Sequence, residues 1–177
     1  MSNRIIVVDN FFDNFDNIKD RFKEISLYSL DEFIKLTQEN KQEWPGKRSL
    51  DFYKTEPFLF NLILNEFHTK FDNFFNNRKF WCKSYAHLRL SEDNKKDFIH
   101  TDPANYSLLI YVSKTNLNSG TCFYDDNNNI TQTVNFVQNR AVLFPGYIKH
   151  SSLINHGINI DDGRLTLNAF FNMAGDN

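Results

Sequence analysis

The chain has 177 residues, 41% hydrophobic and 16% aromatic with 19 phenylalanines, which is the size of one ordinary domain with ample apolar surface for a packed core. Lys and Arg number 20 against 22 Asp and Glu, a net charge of −2, so the surface as a whole offers no basic field for a nucleic-acid backbone. Two cysteines outside any Cys-x-x-Cys spacing exclude a zinc knuckle or disulfide framework, and apolar runs too short for a signal-peptide core or a membrane span of about 18 residues lead to the expectation of a cytoplasmic chain with no membrane partner and no clear nucleic-acid partner.

Residues 4–8, Arg-Ile-Ile-Val-Val, read as a short strand. From Asp13 to Ser26, Phe15, Ile18, Phe22 and Ile25 recur at helical spacing and predict an amphipathic helix. A second helix is expected to start with Thr55 as N-cap and Pro57 in its first turn, carrying Leu59, Leu62, Ile63, Phe67, Phe71 and Phe74 on one broad face. Between the helices, Trp44-Pro45-Gly46-Lys47-Arg48 is turn-prone and is either an ordinary connection or a loop over a site. Beyond Lys79 helical periodicity gives way to short β-prone runs: Phe80 to Leu90, Phe98 to Thr101, Tyr106 to Val112, Thr121 to Tyr124, Thr131 to Phe136, Arg140 to Phe144 and Leu165 to Phe171. Helices first and strands later give an α+β chain whose strands form a sandwich or jelly roll. The expectation is one domain over 1–177, with 1–78 a mainly helical bracing segment and 79–177 the jelly-roll core.

Residues 98–103 read Phe-Ile-His-Thr-Asp-Pro. If this stretch is extended, His100 and Asp102 point to one side, because side chains of extended backbone repeat every two residues. One imidazole and one carboxylate make two-thirds of the facial triad that holds non-haem iron(II) and leaves positions open. His150 and His156, both following the turn Phe144-Pro145-Gly146-Tyr147, are the candidates for the third ligand. In Arg164-Leu165-Thr166-Leu167-Asn168, alternation puts Arg164, Thr166 and Asn168 on one face. An arginine facing a cavity needs an anionic partner, and a dicarboxylate gripped bidentately supplies one.

Taken in order, His100-x-Asp102, Tyr111 closing a β-run, Gly120-Thr121, Leu143-Phe144-Pro145 ahead of His150, and Arg164 opening a strand resemble the iron(II)/2-oxoglutarate dioxygenases, in particular their prolyl-4-hydroxylase-like branch. The resemblance spans residues 85–171, and Pro45-Gly46-Lys47-Arg48-Ser49 is similar to a Pro-Gly-x-Arg loop of small members. It implies a double-stranded β-helix braced by the N-terminal helices. It also implies Fe(II) on His100, Asp102 and His150, the last preferred to His156 because it follows the Phe-Pro turn closely. Arg164 would bind the distal carboxylate of 2-oxoglutarate, with Tyr111 sharing it, Ser107 lining the pocket, and Asn168 and Thr166 as further contacts. Some relatives place a co-substrate tyrosine before the His-x-Asp, a role that is either vacant here or filled by Arg89 or Tyr85. O2 is the implied oxidant, and the implied reaction is hydroxylation of a small molecule, amino acid or peptidyl residue. A carboxylate at Asp102, rather than glycine or alanine, leaves no halide position.

Several residues have simpler readings. His68 belongs to a helix surface, Trp44 and Trp81 to a core or lid, and both cysteines to the interior. His87 shares a strand face with Tyr85 and Arg89, which lines either a cavity or solvent. The competing function is a non-enzymatic metal-dependent ligand- or sugar-binding jelly-roll module, which needs His100 and Asp102 but has no use for Arg164. A cupin-type metal enzyme is disfavoured, since no His-x-His with a later Glu is present. Substrate identity and oligomeric state leave no signature in the residues.

Overall fold

A computed structural model describes residues 4–38, 43–71, 79–93 and 98–174. Among the described residues nine strands form two antiparallel sheets: β1 (Ile6–Val8), β2 (Lys47–Arg48), β3 (Phe80–Arg89), β4 (Tyr106–Tyr111), β5 (Asn116–Tyr124), β6 (Ile130–Phe136), β7 (Arg140–Pro145), β8 (His150–Ser152) and β9 (Arg164–Met173). The large sheet runs β1-β7-β4-β9-β3-β2 and the small one β6-β5-β8. The architecture is the expected α+β jelly roll. The bracing segment gives it more than helices, because β1 and β2 close the two edges of the large sheet.

Alternation divides the large sheet cleanly. Tyr106, Leu108 and Ile110 of β4, Ala141 and Leu143 of β7, and Leu165, Leu167, Ala169 and Phe171 of β9 join the N-terminal phenylalanines and α4 (Pro57–Lys70) in one apolar core. Phe171 stacks on Phe67 with centroids 4.4 Å apart. Residues of opposite parity face the small sheet, where Tyr111, Val142 and Phe144 pack with Phe123, Val134 and Phe136. The space between the sheets therefore has an apolar closed end and an open polar end.

The helical segment departs from its expected form in three places. The helix expected over Asp13 to Ser26 shrinks to α1 (Phe15–Ile18) followed by a 3₁₀ stretch at Lys19–Lys23. Its Asn- and Asp-rich start favours local side-chain hydrogen bonds over helix, as in Asn17 Nδ2 donating to Asn14 Oδ1. Thr55 ends α3 (Phe52–Thr55), and the cap position of α4 falls on Glu56. A further helix, α2 (Leu30–Thr37), opens on a capping box in which Ser29 N–H donates to Glu32 Oε2 at 2.8 Å and Glu32 N–H returns to Ser29 Oγ at 3.4 Å. That Ser-x-x-Glu signal is readable in sequence. Phe74 lies outside the described residues. Among the described residues no helix is long and apolar enough to cross a membrane.

Candidate metal centre

The run expected to be a strand from Phe98 to Thr101 is a single antiparallel bridge, His100 to His150. Their backbones exchange two hydrogen bonds, 3.0 and 2.8 Å, and Asp102 N–H donates to Gly146 O at 2.8 Å. The Phe144-Pro145-Gly146 turn can approach this closely because Gly146 lacks a side chain: a Cβ there would lie 2.1 Å from Ala104 O. The backbone thus delivers His100, Asp102 and His150 to one point. Their ligand atoms lie within 4.8 Å of one another, with His150 Nε2 3.4 Å and His100 Nε2 3.8 Å from the Asp102 carboxylate.

Each imidazole spends its other nitrogen on the backbone. His100 Nδ1 meets Phe98 O and His150 Nδ1 meets Ile148 O, both at 2.9 Å. A carbonyl only accepts, so Nδ1 carries the hydrogen and the Nε2 lone pair faces the cluster. Ser107 Oγ donates to Asp102 Oδ2 at 2.6 Å, fixing the carboxylate. Phe144, with its ring centroid 4.7 Å from that of His150, backs the site with apolar surface. His156 stands elsewhere, edge-on to Phe136 at 5.3 Å. Burial, and then the Arg164 charge, hold its imidazole below the ordinary range.

The cluster opens into a cavity of about 850 Å³ whose inner end reaches Arg164, Thr166 and Thr121. Arg164 is buried and donates through Nη2 to Gly120 O at 3.3 Å and Thr121 Oγ1 at 3.4 Å. Tyr111 is fully buried behind this end, and its hydroxyl donates to Thr121 Oγ1 at 2.8 Å. Burial pushes the Tyr111 phenol up, against the pull of the Arg164 charge. Asn168 and Ser107 line the cavity. Arg89, in register with Arg164, is instead turned under the Pro45-Gly46 loop toward Asp93, 3.5 Å away. Cys82, half-buried against the helical core, has its thiol pushed up to about 12 by burial, and His68 packs on Phe80.

Toward the mouth the cavity is lined by Trp44, Pro45, Arg48, Lys83, Tyr85 and His87, with α2 supplying Phe33, Leu36 and Thr37. Of the Trp44-Pro45-Gly46 segment, Trp44 and Pro45 thus line the cavity. His87 Nε2 and Pro45 O, 2.7 Å apart, pin the segment to β3. Gly46, at φ +77°, is required there, because a Cβ would meet Leu88 O at 2.3 Å. Thr121 and α2 are among the lining elements that sequence reasoning missed; the first had no signal beyond its place in Gly120-Thr121, and the second had its capping box.

No protein-family model and no curated protein matches the chain. Solved structures do. An oxidoreductase of the 2OG-Fe(II) oxygenase family from Burkholderia pseudomallei aligns over 95% of this chain and 84% of its own, with TM-score 0.62 and 8% identity. A Pseudomonas putida prolyl-4-hydroxylase aligns over 98% and 95%, with TM-score 0.58 and 14% identity. HygX from Streptomyces hygroscopicus, solved with nickel and 2-oxoglutarate bound, aligns over 94% and 82%, with TM-score 0.62 and 9% identity. At such identities the likeness is one of fold, and the fold of this chain is the jelly-roll frame shared with those structures.

Proposed function

We propose that the protein is an iron(II)- and 2-oxoglutarate-dependent oxygenase that hydroxylates a small molecule, amino acid or peptidyl residue. The observation that carries this reading is the convergence of His100, Asp102 and His150 within 4.8 Å in the cavity that Arg164 closes at its inner end. Two imidazole nitrogens and one carboxylate oxygen, with both histidine tautomers already set by backbone carbonyls, suit a first-row divalent ion and leave further positions open. Nickel and 2-oxoglutarate bound in HygX support the same reading.

His100, Asp102 and His150 would hold the iron. When bound, iron(II) couples O2 reduction to oxidative decarboxylation of 2-oxoglutarate, one oxygen atom passing into succinate and the other into a substrate C–H bond, with CO2 released. Arg164 binds the distal carboxylate as a charge-assisted pair. Thr121 completes that clamp: its oxygen accepts from Tyr111 and Arg164, so its own hydrogen is left to donate into the cavity. Tyr111 accordingly acts on the co-substrate through Thr121. Ser107 holds the Asp102 carboxylate in the orientation the metal needs, and Asn168 lines the path to substrate.

The test is succinate formation from 2-oxoglutarate under air with added iron(II), together with a thermal shift on adding 2-oxoglutarate to the anaerobic iron-loaded protein. Both responses are expected, and both are expected to disappear in His100→Ala. Full turnover in that variant overturns the assignment. A metal-dependent binding module would bind the ion without responding to 2-oxoglutarate.

A further inference from the structure

We infer that Tyr85 and Asn168 select the substrate by holding an uncharged amide, whose N–H donates to the Asn168 carboxamide oxygen and whose C=O accepts from the Tyr85 hydroxyl; the inference rests on the oxygenase reading and names the chemistry of its substrate. The first argument is which polar groups the cavity wall leaves unspent. Along the facing strands β3 and β9, His87 is paired with Thr166, Tyr85 with Asn168 and Lys83 with Phe170, and all six line the cavity. On the His87 rung the polar groups are used within the chain, since Thr166 Oγ1 donates to His87 O at 3.4 Å and His87 Nε2 meets Pro45 O at 2.7 Å. Ser107, paired with Phe170 from the other side, is spent on Asp102. The Tyr85 rung differs. Among the described residues neither the Tyr85 hydroxyl nor the Asn168 carboxamide has a hydrogen-bond partner, although Asn168 is only 9% exposed. A ligand that desolvates these groups has to match both a donor and an acceptor or leave them unpaired at a cost.

The second argument is position. Asn168 is two residues from Phe170, the partner of Ser107, and four residues from Arg164. At the rise of a strand these separations are roughly 7 Å and roughly 13 Å, so the carboxamide stands nearer the metal ligands than the distal-carboxylate clamp. Tyr85 lies one strand further from β4, since the sheet runs β4-β9-β3. The pair therefore flanks the space beside the metal centre on the side away from Ser107. The Tyr85 ring is also fixed in place, stacked on Phe170 with centroids 5.6 Å apart and covered by the Arg48 guanidinium at 5.0 Å, which aims the hydroxyl before a ligand arrives. Burial pushes the phenol up, the Arg48 charge opposing and the Asp102 charge adding to that push, so the hydroxyl keeps its hydrogen and donates.

The third argument is chemistry. A carboxamide and a phenol carry no formal charge, and on paired strand residues, whose Cβ atoms are roughly 4.5–5.5 Å apart, they present a donor and an acceptor side by side. A carboxylate would leave Asn168 Oδ1 unmatched, and an ammonium would leave the Tyr85 hydrogen unmatched. An amide answers both from adjacent atoms. The flanking wall is apolar, with Phe170 under Tyr85 and Leu109 paired with Asn168 on its other side. In such surroundings a site built to hydrogen-bond its ligand discriminates sharply against an analogue that lacks the group.

The experiment uses the protein loaded with zinc(II) and saturating 2-oxoglutarate, titrated by ligand-observed NMR with two pairs of probes. One pair is N-methylphenylacetamide and methyl phenylacetate, the other N-acetylphenylalanine N-methylamide and the corresponding methyl ester. In each pair the ester keeps the C=O and lacks one N–H. The amide of at least one pair is expected to bind at least about ten-fold more tightly than its ester, the cost of one buried acceptor left unmatched; which pair does so separates a free small amide from a peptide backbone. Asn168→Leu is expected to bring that ratio to about one. Tyr85→Phe is expected to weaken amide and ester alike by about ten-fold, and, as it removes a single oxygen atom, it serves where Asn168→Leu does not fold. Amides bound no better than their esters in both pairs, an unchanged ratio in Asn168→Leu, or wild-type affinities in Tyr85→Phe overturn the inference. Failure of the unaltered protein to bind 2-oxoglutarate, with the amide preference present, would instead overturn the oxygenase reading, so the two failures are distinguishable.

Discussion

On β9, Leu165, Leu167, Ala169, Phe171 and Met173 pack toward the helices, while Arg164, Thr166, Asn168, Phe170 and Asn172 line the cavity. β3 divides in the same way, with Ala86 and Leu88 in the core and Trp81, Lys83, Tyr85 and His87 on the cavity side. The core face needs apolar volume, and its residues are interchangeable so far as size allows. The cavity face needs particular groups at particular rungs. One alternation therefore separates the packed core from the cavity lining within single strands, and substitutions one residue apart should break different properties.

Phe171→Ala should have the largest effect. The ring is fully buried, stacked on Phe67 and edge-on to Phe80 at 5.2 Å, and deleting it removes about 3–5 kcal/mol. For a chain of this size that lowers Tm by about 10 °C, readable by calorimetry, with turnover of the folded fraction retained. A stable variant without turnover would mean the two faces are not separable. Arg164→Met tests the other face. Replacing a buried charge with an apolar side chain of similar reach costs little stability or adds some. The expected result is unchanged or higher Tm and a KM for 2-oxoglutarate raised on the order of 100-fold, equivalent to about 2.7 kcal/mol. An unchanged KM would remove Arg164 from the co-substrate clamp.

The difference between the faces also decides what could be read from the sequence. Core strands announce themselves by alternation, and β3, β4, β6, β7 and β9 fall within a residue or two of their expected bounds. Period-two spacing was enough to put Arg164, Thr166 and Asn168 together, and His100 with Asp102, although the backbone around His100 proved to be one bridge. What alternation cannot carry is contact between elements far apart in sequence. The choice between His150 and His156 turns on the pairing of His150 with His100, which is tertiary. The same holds for Tyr111, whose hydroxyl reaches Thr121 across the sheets, and for Arg48, whose position between Trp44 and Tyr85 depends on β2 docking at the edge of β3. Short β8 was missed because three residues, His-Ser-Ser, carry no period.

The smallest effect is expected where a charge pair lies at the margin and serves neither face. Arg140, at the start of β7, donates to Asp9 through Nε at 2.6 Å and Nη2 at 3.0 Å, tying the residue after the edge strand β1 to its neighbour in the sheet. The Arg140 hydrogen bond holds the Asp9 carboxyl below its ordinary value of 3.8, against a smaller opposing push from burial. A carboxylate with a depressed folded pKa adds stability above its unfolded pKa and loses it as pH falls through the folded value. The Asp9 side chain is 55% exposed, so solvent screening limits the pair to about 0.5–1 kcal/mol even with bidentate geometry. Urea denaturation of the protein and of Asp9→Asn should show that gap at pH 7, a narrowing below about pH 4, and a smaller gap in high salt. A gap unchanged at pH 3 would mean that the carboxylate charge is not its source, leaving the packing of the β1 edge to account for it.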